Sequence, residues 1–183
     1  MRTETQLEPI RDVEVQLRTW EIDQFVEQAS KIPQTGIYLE IGTKYGGSAY
    51  LAKYHAPDGA TIFSIDPSAN LFMFKGTENN VGIHWIKGYS LDIVKEWIKP
   101  IDLLFVDGDH GEGSPTAPWD DFIAWERFVK KGGIIMMHDY HFDFPAVLEA
   151  CDKIMETGRY ELIFKPPVIA NRQDTSMFII KKI

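Results

Sequence analysis

Short apolar runs alternate with longer amphipathic ones through most of this chain. Seven runs have the length and near-continuous hydrophobicity of strands buried on both faces: "GIYLEI" (36–41), "TIFSID" (61–66), "VGIHWI" (81–86), "IDLLFVD" (101–107), "GGIIMMHD" (132–139), "YELIFK" (160–165) and "SMFIIKK" (176–182). Between the first five lie the helix-compatible stretches "GGSAYLAKYH", "SLDIVKEWI" and "WDDFIAWERFVKK", with a shorter segment "SANLFMFKG" after the second run. Another helix, "FPAVLEACDKIMETG", separates the fifth and sixth. Each parallel connection must cross over the sheet, so the repetition predicts an α/β fold, a doubly wound, mostly parallel seven-stranded sheet with helices on both faces. The last two runs are joined by "PPVIANRQD", which has no helical pattern, and are expected to pair as a C-terminal antiparallel hairpin. The opening "VEVQLRTWEIDQFVEQASK" has helical spacing and no strand before it. Residues 1–34 are therefore read as a flanking helical segment and 35–183 as the core of one domain.

Composition narrows the function. At 183 residues and 44% hydrophobic, the chain can bury one sizeable core. A formal net charge of -8 argues against a sequence-independent grip on nucleic acid, which depends on Lys and Arg neutralising phosphates. Small-molecule chemistry is the better expectation. The one cysteine, Cys151, excludes an intramolecular disulfide, and the charged start "MRTETQLEPIRD" lacks the apolar core of a signal peptide, so a cytoplasmic setting is expected. The apolar runs fall short of the roughly 20 residues of a membrane span. Self-association into a homo-oligomer is left open.

In an open parallel sheet, ligands bind outside the carboxyl ends of the strands. The polar residues that end the runs are Glu40, Asp66, Asp107 and the pair His138 and Asp139. Gly42, Gly46 and Gly47 follow the first run and open a helix, which lets the backbone turn tightly and approach a ligand. From Gly42 to Gly46 there is one residue too many for the end of a dinucleotide fingerprint, so a pyrophosphate is not the obvious guest. Asp66, at the end of the next run, is placed to accept both hydroxyls of a ribose. A nucleoside without a pyrophosphate fits both observations.

"LEIGTKYGGSAYLA", "IFSIDP" and "DLLFVDGDHGEG...WERFVKKGGIIMMHDY" together resemble the class I S-adenosylmethionine-dependent methyltransferases, whose fold is Rossmann-like. More narrowly, they are similar to the small-molecule O-methyltransferases that include the macrocin-type and rhamnosyl enzymes and the cephalosporin hydroxylase-like proteins. The resemblance implies that Glu40, Gly42 and Gly46 hold the methionine portion of S-adenosyl-L-methionine, that Asp66 binds its ribose and that Ser90 lies near its adenine. The competing reading of Ser90 is as the cap of its helix.

For the reaction, the resemblance implies a divalent cation, Mg²⁺ or Mn²⁺, at Asp107, His138 and Asp139, with Asp107 also beside the cofactor. His138 stands where some relatives have a carboxylate, and a histidine is a poorer Mg²⁺ ligand. The spacing of Asp107 and His110 matches the macrocin-type pattern, with His110 as general base toward a hydroxyl of a sugar or phenol. His141 is a second-line base, and Asp109 is read as turn chemistry. The loop "GEGSPTAPWDD" lacks the tyrosine that relatives carry and borders the expected acceptor pocket, beside Trp119. The alternatives are an NAD-dependent oxidoreductase and a non-catalytic nucleoside-binding module of the same fold.

Overall fold

A computed structural model describes residues 13–68, 82–168 and 176–183. Strands β1 (Ile37–Ile41), β2 (Thr61–Asp66), β3 (Ile83–Lys87), β4 (Ile101–Val106), β5 (Val129–Met137), β6 (Tyr160–Phe164) and β7 (Phe178–Lys182) form one sheet. Their order is β3-β2-β1-β4-β5-β7-β6. The first five pair in parallel, whereas β7 runs antiparallel to both β5 and β6. Strand order reverses between β1 and β4, which is where such a sheet opens a crevice.

The period-2 alternation of the strands divides the core in two. Leu39, Ile41, Leu104 and Val106 face helices α3 (Ser90–Ile93), α4 (Ala117–Trp125) and α5 (Pro145–Glu156), against the fully buried Phe122 and Trp125. Tyr38, Leu103, Phe105 and Met136 face α1 (Thr19–Ala29) and α2 (Gly47–His55). In α1, Ile22, Phe25 and Ala29 supply the inward stripe at helical spacing. Phe25 meets Tyr38 and Phe105 edge to face, with ring centroids 5.9 and 5.3 Å apart.

The structure departs from the sequence expectation at element ends. The helix expected over 13–31 covers only Thr19–Ala29, and residues before it cross the glycine turn, where the Glu14 carbonyl lies 2.5 Å from the place a Cβ on Gly47 would occupy. The helix expected over 119–131 stops at Trp125. A 3₁₀ turn (Glu126–Phe128) follows, and Val129 already belongs to β5. Residues between Val129 and Ile134 bulge, because Ile101 pairs with Val129 while Leu103 pairs with Ile134; Gly132 supplies the positive φ of 82° that the bulge requires. "SLDIVKEWI" makes one helical turn before loosening into turns. The expected segment "SANLFMFKG" lies outside the described residues from 69 on, as does "PPVIANRQD" from 169 on.

Candidate functional site

Strand β1 delivers the chain to a turn whose glycines are fixed by close approach. Gly42 has φ 89°, and a Cβ on it would lie 1.9 Å from the Asp107 carbonyl oxygen, so the ends of β1 and β4 abut only because no side chain stands there. Gly46, at φ 82°, precedes α2 and abuts Trp85. Asp66 braces the turn. Its Oδ2 accepts the backbone N–H groups of Thr43 and Lys44, both at 2.9 Å, and its Oδ1 accepts Ser68 N at 2.6 Å.

Glu40 lies beneath this turn, fully buried and away from the cavity surface. It accepts hydrogen bonds of 2.7 Å from Tyr38 Oη and from Ser64 Oγ, and Ser64 in turn shares a hydrogen bond with Thr43 Oγ1. Burial pushes its carboxyl up to about 7, against the opposing pull of Ser64, Tyr38 and Ser48. The carboxylate expected to touch the cofactor thus touches the turn, through two hydroxyls. Nothing in the sequence marked Tyr38, Ser64 and Thr43, since their link crosses two strands.

Over the strand ends lies a cavity of about 970 Å³, near the upper end of the range for small-molecule sites. Its walls include Gly42, Asp66, Ser90, Asp107, His110 and Asp139, and Glu14 and Leu17 close one side. Seven lining side chains are carboxylates, against one lysine, Lys44. The loop of residues 111–119 contributes Glu112, Ser114 and Ala117, whereas Trp119 stacks on Phe122 with centroids 5.7 Å apart and does not line the cavity. Asp109 accepts from the backbone of Gly111, Gly113 and Ser114, the turn role expected of it. His141 contacts Asp143 at 3.2 Å and is not part of the lining.

At the ends of β4 and β5 the charged groups converge. Ligand atoms of Asp107, His110 and Asp139 lie within 4.8 Å of one another. His110 Nε2 is 2.8 Å from Asp139 Oδ2 and 3.5 Å from Asp107 Oδ1, yet it aligns with neither as a directed hydrogen bond. Burial opposes charge on this ring, but the two carboxylates outweigh it and raise it to about 9. Burial would also raise the Asp139 carboxyl; His110 and His138 hold it well below the usual carboxylate range instead.

His138 takes a different place from the one expected. Its Nδ1 lies 2.9 Å from Asp107 Oδ1, while Nε2 faces Glu21 Oε2 and Ser176 Oγ, each at 3.5 Å. Both nitrogens are engaged, and despite burial the carboxylates of Asp107, Asp139 and Glu21 hold it protonated far above the ordinary imidazole range. The candidate ligand atoms that lie within 4.8 Å of one another are those of Asp107, His110 and Asp139; His138, which the sequence reading placed beside Asp107 and Asp139, packs behind them against Glu21. Glu21 escaped sequence reading because a single carboxylate on an amphipathic helix looks like surface, and its burial depends on Ser176, 155 residues away, whose N–H and Oγ donate to it.

A second polar pair lies on the wall between α3 and α4. Ser90 Oγ donates to Asp121 Oδ1, which places Ser90 in the cavity wall and ties it to a carboxylate that sequence reading passed over. Burial raises Asp121 to about 6; Ser90 pulls it down, while Asp120 and Asp109 add to the rise.

The fold and this cavity define a Rossmann-like α/β protein whose main described cavity lies at the switch point of the sheet. Residues 39–140 match a family model described as Methyltransferase domain, and the chain belongs to that family. It is also similar to a protein named Uncharacterized protein R132 from Acanthamoeba polyphaga mimivirus, 32% identical over 146 residues; the match takes in 67% of this chain and 62% of that protein, less than two thirds of its length. Among solved structures, an O-methyltransferase from Bacillus cereus in complex with SAH superposes with a TM-score of 0.72 at 15% identity, covering 99% of this chain and 90% of the other. The SAH-bound methyltransferase PaMTH1 of Podospora anserina gives 0.70 at 16% identity, with 100% and 85% covered. At such identities the likeness is one of fold. Among the described residues, no helix is long and apolar enough to cross a membrane.

Proposed function

We propose that this protein transfers a methyl group from S-adenosylmethionine to a hydroxyl of a small, neutral molecule such as a sugar or phenol. The observation that carries the reading is the meeting, in one cavity, of the glycine turn braced by Asp66 with the Asp107, His110 and Asp139 cluster. When bound, S-adenosylmethionine supplies an activated, positively charged methyl donor. Asp66, fixed by the turn, then faces the nucleoside, and the carboxylate-rich walls favour a cationic donor and a neutral acceptor over a phosphorylated one. The same acidity, with the net charge of -8, speaks against a nucleic-acid substrate, and the lone cysteine suits a cytoplasmic setting.

His110 Nε2 is the atom that accepts the proton of the acceptor hydroxyl. It serves as a base only once its own proton has left, and the carboxylates that hold that proton are also those that would hold a cation. The Asp107 and Asp139 carboxylates are hard oxygen donors that fit Mg²⁺ or Mn²⁺, which leaves the His110 Nε2 lone pair for the proton. Such an ion, when bound, lowers the pKa of a coordinated hydroxyl. His138, behind Asp107 and fixed by Glu21, keeps the Asp107 carboxylate in place.

A thermal-shift panel of S-adenosylhomocysteine, NAD and Mg²⁺ tests the reading. A ligand at 100 times its Kd adds about 2.7 kcal/mol to native stability. S-adenosylhomocysteine should raise the melting temperature and NAD should not. A shift with NAD alone would reverse the assignment in favour of a dehydrogenase.

A further inference from the structure

Glu40 is fully buried, yet among the described residues no cation meets its charge. From its own strand Tyr38 Oη donates to it at 2.7 Å, and from β2 Ser64 Oγ donates at the same distance. Ser48 acts on it from α2 as a third hydroxyl. From β4 the Asp107 carboxylate acts in the opposite sense and, like burial, opposes ionisation. A buried carboxylate is ordinarily balanced by a cation or neutralised by a proton, and in the unliganded protein only the proton is available here. The group accordingly titrates at about 7.

That proton has a way out. Ser64 Oγ also shares a hydrogen bond with Thr43 Oγ1, and Thr43 lines the cavity. A proton leaving Glu40 passes to Ser64 as Ser64 hands its own to Thr43, and Thr43 releases one to solvent in the cavity. Both hydroxyls end as they began. Glu40 itself is thus kept out of the cavity but joined to it through two hydroxyls.

The order of the sheet decides which part of a ligand Glu40 underlies. Strand β1 lies between β2 and β4. On the methyl-transfer reading, on which this inference rests, the nucleoside lies at Asp66, at the end of β2, and the methyl group at the Asp107, His110 and Asp139 cluster beyond β4 and β5. The sulfonium joins the two and so lies over the end of β1, with Glu40 beneath. Methyl transfer turns that sulfonium into a neutral thioether, so donor and product differ there by one unit of charge.

We infer that Glu40 is the residue by which the cavity tells the cationic donor from its neutral product, losing its proton through Ser64 and Thr43 when the sulfonium arrives and regaining one once the methyl group has gone. An opposite charge close to a carboxylate lowers its pKa by about one to three units. Glu40 acts through the turn and not in contact, so the low end, about one unit, is expected. From a free value of about 7, donor binding then releases about half a proton at pH 6.5. Preference for donor over product rises about fivefold from pH 6 to pH 8, because only the ionised carboxylate attracts the cation.

The test is calorimetric titration of the whole protein, in chelator, with S-adenosylmethionine and with S-adenosylhomocysteine. Affinities at pH 6 and 8 give the preference, and buffers of different ionisation heat at pH 6.5 count the protons released. Wild type should show the fivefold rise and release about half a proton more with the donor than with the product. In Glu40→Gln, which has no proton to lose at this position, the rise should fall below about twofold and the extra proton should largely vanish. His110 and Asp121 also line the cavity and also lose protons as pH rises, so they act in the same direction as Glu40. A wild-type preference that does not change with pH therefore overturns the inference, whatever the folding of the variant. A folded Glu40→Gln protein that keeps the full rise also overturns it, by assigning the effect to those other groups. Binding of neither compound by wild type overturns the methyl-transfer reading and this inference together, a result distinct from binding of both at a constant ratio.

Discussion

Glu40→Gln isolates the energetic cost of placing a carboxylate under the glycine turn. The wild-type carboxyl is fully buried and titrates at about 7 in the folded chain instead of the ordinary 4.5. The folded state therefore binds this proton more tightly than the unfolded state. The stability it contributes is complete below pH 4.5 and is lost as pH rises through 7. One pKa unit corresponds to 1.36 kcal/mol, so ionising Glu40 in the folded protein costs about 3 kcal/mol by pH 8.5. Glutamine keeps the shape and removes the charge. Its carbonyl can accept from Tyr38 or Ser64, but its N–H₂ must face the other hydroxyl, a mismatch worth about 1 kcal/mol. Glu40→Gln should thus be close to wild type in stability at pH 5 and more stable by about 2 kcal/mol at pH 8.5. Urea unfolding followed by the fluorescence of buried Trp97 and Trp125, at several pH values with chelator present, measures both differences. Because His110, His138 and Asp121 titrate in both proteins, only the difference between them is diagnostic. A difference that stays constant from pH 5 to 8.5 would refute the reasoning.

Three further outcomes are expected. Gly42→Ala should lower stability by more than about 2 kcal/mol, since it combines a φ of 89° with a collision against the Asp107 backbone, and a melting temperature equal to wild type would contradict the geometry. Asp66→Ala should weaken S-adenosylhomocysteine binding at least tenfold, or about 1.4 kcal/mol; calorimetry on the folded variant showing unchanged affinity would remove Asp66 from the nucleoside site. With the acceptor that wild type methylates best, His110→Ala should lower turnover by at least about 10²-fold. The acid limb of the wild-type profile in chelator should lie near the His110 value of about 9, where its proton leaves, and move to lower pH when Mg²⁺ or Mn²⁺ is restored. A limb that does not move on adding the metal would sink the shared site of proton and cation.

The alternation of apolar runs with amphipathic ones was enough to specify the parallel sheet, because strands covered on both faces must be apolar throughout, and that pattern is local. The antiparallel pairing of β6 with β7 was legible for the same reason: the sequence between the two runs carries no helical pattern. Ends of elements were less legible. Val129 and its two lysines continue a helical pattern, and only the bulge against Ile101 makes them a strand. Within the site, the positions at strand ends could be read from the chain, since topology alone sends Asp66, Asp107 and Asp139 to one crevice. Which of them meet could not. Glu40 turning inward to Ser64, His110 meeting Asp139, Glu21 and Ser176 closing around His138 from the two ends of the chain, and Asp121 pairing with Ser90 are all contacts between residues distant in sequence. Hydrophobic periodicity records whether a position is inside or outside, and it carries no information about which buried polar groups share a hydrogen bond. That choice is made by the packing of helices on the sheet, where each buried charge must find a partner.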